Sequence, residues 1–161
     1  VFIEYLSANG GRGFIGIEMK YFEDLQKGRP NEIRSRARKV AQDADVFHSP
    51  NNRDLTSLPL SQLYLDHLLA LSMLQADERW AEGRFIVMYP EINESVRDAV
   101  RDYQRQLSDS SSFGSVTLED AVDHLITLTD AAWAREFRAR YLDNWPVTLR
   151  RGRRESRAVR G

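Results

Sequence analysis

Two short runs rich in β-branched and aromatic residues open the chain, Val1 to Leu6 and Phe14 to Tyr21, with Asn9, Gly10, Gly11 and Gly13 between them. Such runs around a glycine-rich break predict a β-hairpin. Asn-Gly favours the positive φ angles of tight turns, but the loop exceeds two residues, so sequence leaves the register open. From Asn31 to Asp43 the pattern turns helical, with Ile33, Ala37, Val40 and Ala41 on one side and Arg34, Arg36, Arg38 and Lys39 around it. His48 to Pro59, containing Ser-Pro-Asn-Asn, predicts a loop.

The strongest helical pattern runs from Ser61 to Gln75, where Leu63, Tyr64, His67, Leu68, Leu71 and Leu74 share one face. Phe85 to Tyr89 is five apolar residues in a row between Gly83 and Pro90, which suits a central strand buried on both faces. Asn93 is placed to cap a helix bearing Val96, Val100, Tyr103 and Leu107. Ser108 to Ser112 then reads as a polar linker and Phe113 to Val116 as a short edge strand. Thr117-Leu-Glu-Asp120 has the form of a capping box before Val122, Leu125 and Ile126. A last helical run carries Trp133, Phe137 and Tyr141 at four-residue steps, a stripe that reads as core, and Trp145-Pro146 ends it. No internal repeat is visible. The expectation is an α/β fold: a small mixed β-sheet of hairpin plus central strand, flanked by helices, with the Ser61 to Gln75 helix packed on it.

Composition narrows the function. At 161 residues and 42% hydrophobic, the chain fits one domain with a real core, and no stretch approaches a membrane span. The absence of cysteine excludes disulfides, thiolate metal sites and cysteine nucleophiles, and three scattered histidines are the only nitrogen ligands. Any metal would be held mainly by oxygen. The net charge of -1 hides an uneven distribution, because six arginines oppose only Glu155 in the last twelve residues, leaving the rest net acidic. We therefore expect a domain over 1–149 and a solvated, disordered arginine tail over 150–161, in a soluble, cytoplasmic protein. The chain starts at Val1, without methionine, directly in an apolar run, which predicts a fragment whose natural N-terminus lies upstream.

The candidate chemistry lies on the second strand. Alternation puts Glu18 and Lys20 on one face with Phe14 and Gly16, and Ile15, Ile17, Met19 and Tyr21 on the other. A lone Glu-x-Lys is a weak signal whose plain reading is a solvent-facing charge pair, but here it ends an apolar strand beside a core. Other signals are weaker. His67 reads as a satisfied core histidine, while His48 and His124 share no ligand spacing. Gly10-Gly11-Arg12-Gly13 lacks the length and ending of a P-loop, and no serine has nucleophile-elbow context.

Glu18-Met19-Lys20 on a hairpin's second strand resembles the E-x-K half of the PD-(D/E)XK nuclease superfamily, more narrowly a bacterial restriction-endonuclease branch. The segments that carry the resemblance are Arg12 to Tyr21, Gln62 to Leu69, Gly83 to Pro90, Thr117-Leu-Glu119 and Arg140 to Asp143. It implies a restriction-endonuclease-like core and phosphodiester hydrolysis with Mg2+ or Mn2+. Glu18 would ligate the ion, the Met19 carbonyl would join it, and Lys20 would handle the attacking water. Gln62 matches a helix glutamine near the active site of relatives, with a surface glutamine as the equal alternative. The superfamily's acidic residue on the first strand is expected just before Val1, or else Glu4 substitutes for it.

The leading expectation is a nuclease acting on nucleic acid, DNA in preference to RNA, in a restriction or phage-defence setting. The alternative is a catalytically inactive module of the same fold that binds nucleic acid or a protein partner. In either, Arg29, Arg34, Arg38 and Lys39 offer a basic face, although an ordinary solvated helix face explains them equally well. No membrane partner is expected, and homodimerisation stays open.

Overall fold

A computed structural model describes residues 1–27, 29–30 and 32–143. The arginine tail and Trp145-Pro146 lie outside the described residues. Strands β1 (Phe2–Leu6), β2 (Arg12–Met19), β3 (Trp80–Tyr89) and β4 (Phe113–Thr117) form one sheet in that order. β1 and β2 pair antiparallel, and β2 and β3 pair parallel. The sheet is therefore mixed, and the hairpin and central strand share it, as the sequence predicts. The helices are α1 (Ser35–Ala44), α2 (Ser61–Ala76), α3 (Glu94–Gln104), α4 (Leu118–Thr129) and α5 (Ala132–Phe137). None of the described helices is long and apolar enough to cross a membrane.

Backbone contacts divide the chain into two compact units, residues 1–116 and 117–161. In the first, the hairpin turn closes with Gly10 at φ +83°, as Asn-Gly favours, and the Asn9 side chain accepts from the Gly11 N–H at 3.1 Å. A parallel pair cannot be joined by a tight turn, and the crossover from β2 to β3 carries α1 and α2. α2 packs on β3 and against α1, whose Val40 carbonyl accepts from Gln75 Nε2 at 3.0 Å. The expected loop over 48–59 contains a short 3-10 turn, Arg53–Thr56, with Leu55 buried beneath it.

β3 is twice as long as its apolar run. The half that sequence hides, Trp80 to Arg84, pairs with the start of β2, and Trp80 packs edge-on against Phe14 at 5.1 Å between centroids. Gly83 lies opposite Phe14 in the register, where a Cβ would sit 2.4 Å from two atoms of the ring. The Phe14 ring thus occupies the space that any side chain at 83 would need. α3 is capped as expected, since Asn93 Oδ1 accepts from the Val96 N–H at 3.2 Å.

In the second unit, Thr117 Oγ1 accepts from the Asp120 N–H at 3.0 Å and starts α4. α5 passes into a π turn, Arg138–Leu142, and Arg138 bridges Asp123 and Asp143. The aromatic stripe expected as core is a correction. Trp133 is 60% and Tyr141 47% exposed, while Ala134 and Leu142 are buried in their place. Four-residue spacing sets a shared face and not its burial: Trp133 lies on the exposed side of α5, and Tyr141 packs on Phe137 at 5.1 Å between centroids in the π turn that follows.

Packing at Gly83 gives a direct test. Gly83→Ala should destabilise the protein by about 1–3 kcal/mol through overpacking against Phe14. Gly16→Ala in β2, where a Cβ meets nothing within 4 Å, should stay within about 0.5 kcal/mol of wild type. Urea unfolding of the two variants measures the difference, and equal midpoints would refute the packing argument.

Candidate active site

The strands β2 and β3 run in the same direction, so their carboxyl ends open on the same side of the sheet, where open α/β sheets bind ligands. Glu18 sits at that end of β2. One residue beyond the strand, the Lys20 N–H donates to the Met88 carbonyl at 2.8 Å, which extends the parallel ladder and fixes where the lysine side chain departs. Alternation returns that side chain to the face of Phe14 and Glu18. Lys20 is only 1% exposed, and its ammonium donates to Glu18 Oε1 at 3.0 Å. Glu18 itself is 46% exposed, so one partner is buried and the other meets solvent.

A third group completes the cluster. Asp66, on α2, places Oδ2 3.9 Å from the Lys20 ammonium, and that buried oxygen has no hydrogen bond. Burial pushes the Asp66 carboxyl up from its usual range; Lys20 opposes the rise and the Glu18 charge adds to it. Sequence reasoning missed Asp66, although a signal existed. It is the sole charged residue of the sixteen-residue α2, and it stands one turn from Gln62. A carboxylate alone in an apolar helix needs a partner from elsewhere.

The remaining sequence candidates fall in three places. Gln62 lines a cleft of about 380 Å³ together with Ser61, Asp24, Lys27 and Arg29. That cleft is shaped by the segment after β2, which α3 clips in place: Asn93 Nδ2 donates to the Tyr21 and Glu23 carbonyls at 3.4 and 3.2 Å, and Ser95 Oγ accepts from the Leu25 N–H at 3.1 Å. Arg34, Arg38 and Lys39 are exposed at the start of α1, Lys39 bonded to Asp43 at 2.8 Å. Glu4 is not brought to Glu18. It pairs with Phe14 in the register and forms an ion pair with Arg12, about 13 Å along the strand from Glu18. With Phe2 opposite Gly16, the ladder position facing Glu18 is the one before Val1.

His67 is resolved differently from the acidic cluster. It is fully buried, with Nδ1 2.9 Å from Tyr103 Oη and Nε2 2.9 Å from Ser112 Oγ, so both ring nitrogens are satisfied inside the core. Among the described residues no group of three or more His, Asp or Glu gathers to hold a metal. The oxygens at the site suit a hard divalent cation more than zinc.

A family model described as the PD-(D/E)XK nuclease superfamily matches residues 1–143. No curated protein matches the chain, and no solved structure matches it either.

The buried imidazole predicts a pH dependence. Burial lowers the His67 pKa from 6.5 to about 4, so the folded protein holds a neutral ring that the unfolded chain protonates below about 6.5. Stability from this group is complete above about pH 6.5 and is lost as pH falls towards 4, a total of about 3 kcal/mol. Unfolding free energies at stepped pH should show this loss in wild type and a flatter profile in His67→Gln. Parallel profiles would refute it.

Proposed function

Because this chain belongs to the PD-(D/E)XK nuclease superfamily, we propose that it hydrolyses phosphodiester bonds of nucleic acid, DNA in preference to RNA, with Mg2+ or Mn2+. The observation that carries the reading is the 3.0 Å contact of the buried Lys20 ammonium with half-exposed Glu18 at the carboxyl ends of two parallel strands. The family resemblance and this geometry both support a role for this pair of residues.

Glu18 and the backbone carbonyl of Met19 would hold the cation, with water completing the shell, an oxygen set that magnesium and manganese accept. A divalent ion bound there supplies charge to screen the phosphate and lowers the pKa of water. Lys20 Nζ, already directed at Oε1, positions its remaining protons for the attacking water and a phosphate oxygen, where a fixed cation stabilises developing negative charge. Gln62, lining the adjacent cleft, is placed to orient that water or the phosphate. Glu4, held by Arg12, stands outside this set. Arg34 and Arg38, exposed and four residues apart on α1, would contact the nucleic-acid backbone with Arg29 and Lys39, fixing its position without reading its sequence.

Glu18→Gln keeps the shape and loses the charge that holds the ion, so cleavage and Mn2+ affinity should fall together. Lys20→Ala should lower cleavage by about 100-fold or more while Mn2+ affinity does not fall, because the ammonium acts on water and phosphate and is not a ligand of the ion. A manganese titration run beside a plasmid-cleavage assay separates the two losses. Cleavage by both variants at the wild-type rate would overturn the assignment.

The basic face has its own readout. Replacing Arg34 and Arg38 together by alanine should weaken DNA binding to all sequences alike and reduce the slope of log K against log salt by about 2. An unchanged slope would place the backbone contacts elsewhere.

A further inference from the structure

The cation and the Lys20 ammonium compete for the same carboxylate. Once Glu18 is committed to a divalent ion, the ion repels the ammonium beside it and takes much of the negative charge that neutralised it. Lys20 is 1% exposed, and an ammonium that far from water is costly without an opposing charge. The structure holds one carboxylate besides Glu18 against it: Asp66, whose Oδ2 is buried, without a hydrogen bond, and 3.9 Å away. That separation is about 1 Å beyond a charge-assisted hydrogen bond, within reach of a small change in the lysine side chain. An unsatisfied buried oxygen is itself expensive, so a second state that satisfies it is favoured.

We propose that Asp66 is the positioning residue that receives the Lys20 ammonium when Glu18 turns to the cation. The inference rests on the reading of Glu18 as metal ligand. In the metal-free arrangement Lys20 leans on Glu18; in the loaded one it is held between α2 and the scissile phosphate by Asp66. The helix thereby supplies the fixed side of a charge relay whose mobile member is the lysine head group. No bond is made or broken in this shift.

Lysine-selective 15N labelling tests it without cleavage. The chain has three lysines, and Lys27 and Lys39 are 83% and 75% exposed, so Lys20 alone should give a slowly exchanging ammonium signal. In wild type that signal should persist, shifted, on saturation with Mg2+. In Asp66→Asn it should persist without metal and vanish on saturation, because Glu18 is then taken. Mg2+ affinity by calorimetry should stay within about twofold, kcat should fall by about 10- to 100-fold with KM little changed, and Asp66→Glu should recover part of the loss. Asp66→Ser gives the same three readings should the amide perturb folding, as followed by circular dichroism. A signal that survives Mg2+ in the Asp66 variants, or an unchanged kcat, overturns the proposal. A tenfold loss of Mg2+ affinity also overturns it, making Asp66 a ligand. If Glu18→Gln binds Mg2+ as wild type does, the reading of Glu18 fails first, and the proposal with it.

Discussion

A lysine ammonium taken out of water has to be met by negative charge, and that requirement organises the site. Lys20 leaves the sheet one residue past β2, where the ladder bond from its N–H to Met88 still fixes the backbone. The side chain can then point only into the space under α2, and the protein meets it with one carboxylate from the strand and one from the helix. Glu18 is the more open of the two carboxylates, while the Asp66 oxygen that faces the ammonium is buried and has no hydrogen bond. On the proposed function, Glu18 would serve the cation and Asp66 the ammonium.

For that division to hold, α2 must keep its place over the sheet, and a second buried polar cluster secures it. His67 follows Asp66 directly in sequence and bonds Tyr103 of α3 and Ser112 just before β4. Around it, Phe47, Phe85 and Phe113 pack as ring neighbours, so both hydrogen bonds run through a dry environment where they are stronger and their loss is costlier. At the far end of the sheet Phe14 lies over Gly83 and against Trp80, filling the space above the paired start of β2 and β3. The end of β2 that carries Glu18 is thus flanked by two fixed points, one polar and one steric.

Much of this was legible in the sequence, and the failures have physical causes. α2 and the helix capped by Asn93 were readable because their periodic apolar faces coincide with what the tertiary structure buries. The first half of β3 was not, because Ala81, Glu82 and Gly83 carry no strand signal of their own and are held by pairing with β2, a long-range term. The Trp133 and Tyr141 stripe misled because four-residue spacing says which side chains share a face but not which face is covered, and Ala134 is the residue of α5 that is buried. Glu18 and Lys20 were visible from alternation along one strand. Asp66 was not, because its partner lies 46 positions away in sequence and only the fold brings them together.

The choice of lysine at this position also follows from charge and shape. The chain uses arginine for 20 of its 23 basic residues, so a lysine at the most enclosed basic position among the described residues stands against the local habit. A guanidinium is planar and would lock both of its forks on a single carboxylate, fixing one arrangement. An ammonium is compact and presents three donors, so it can keep one proton on a carboxylate while directing others at water or phosphate. Moving such a head group between Glu18 and Asp66 takes rotation about its own side-chain bonds and leaves the backbone ladder at Met88 intact. On the proposed reading, in which a cation and an ammonium share one glutamate, lysine supplies a group that can yield its first partner without leaving the pocket.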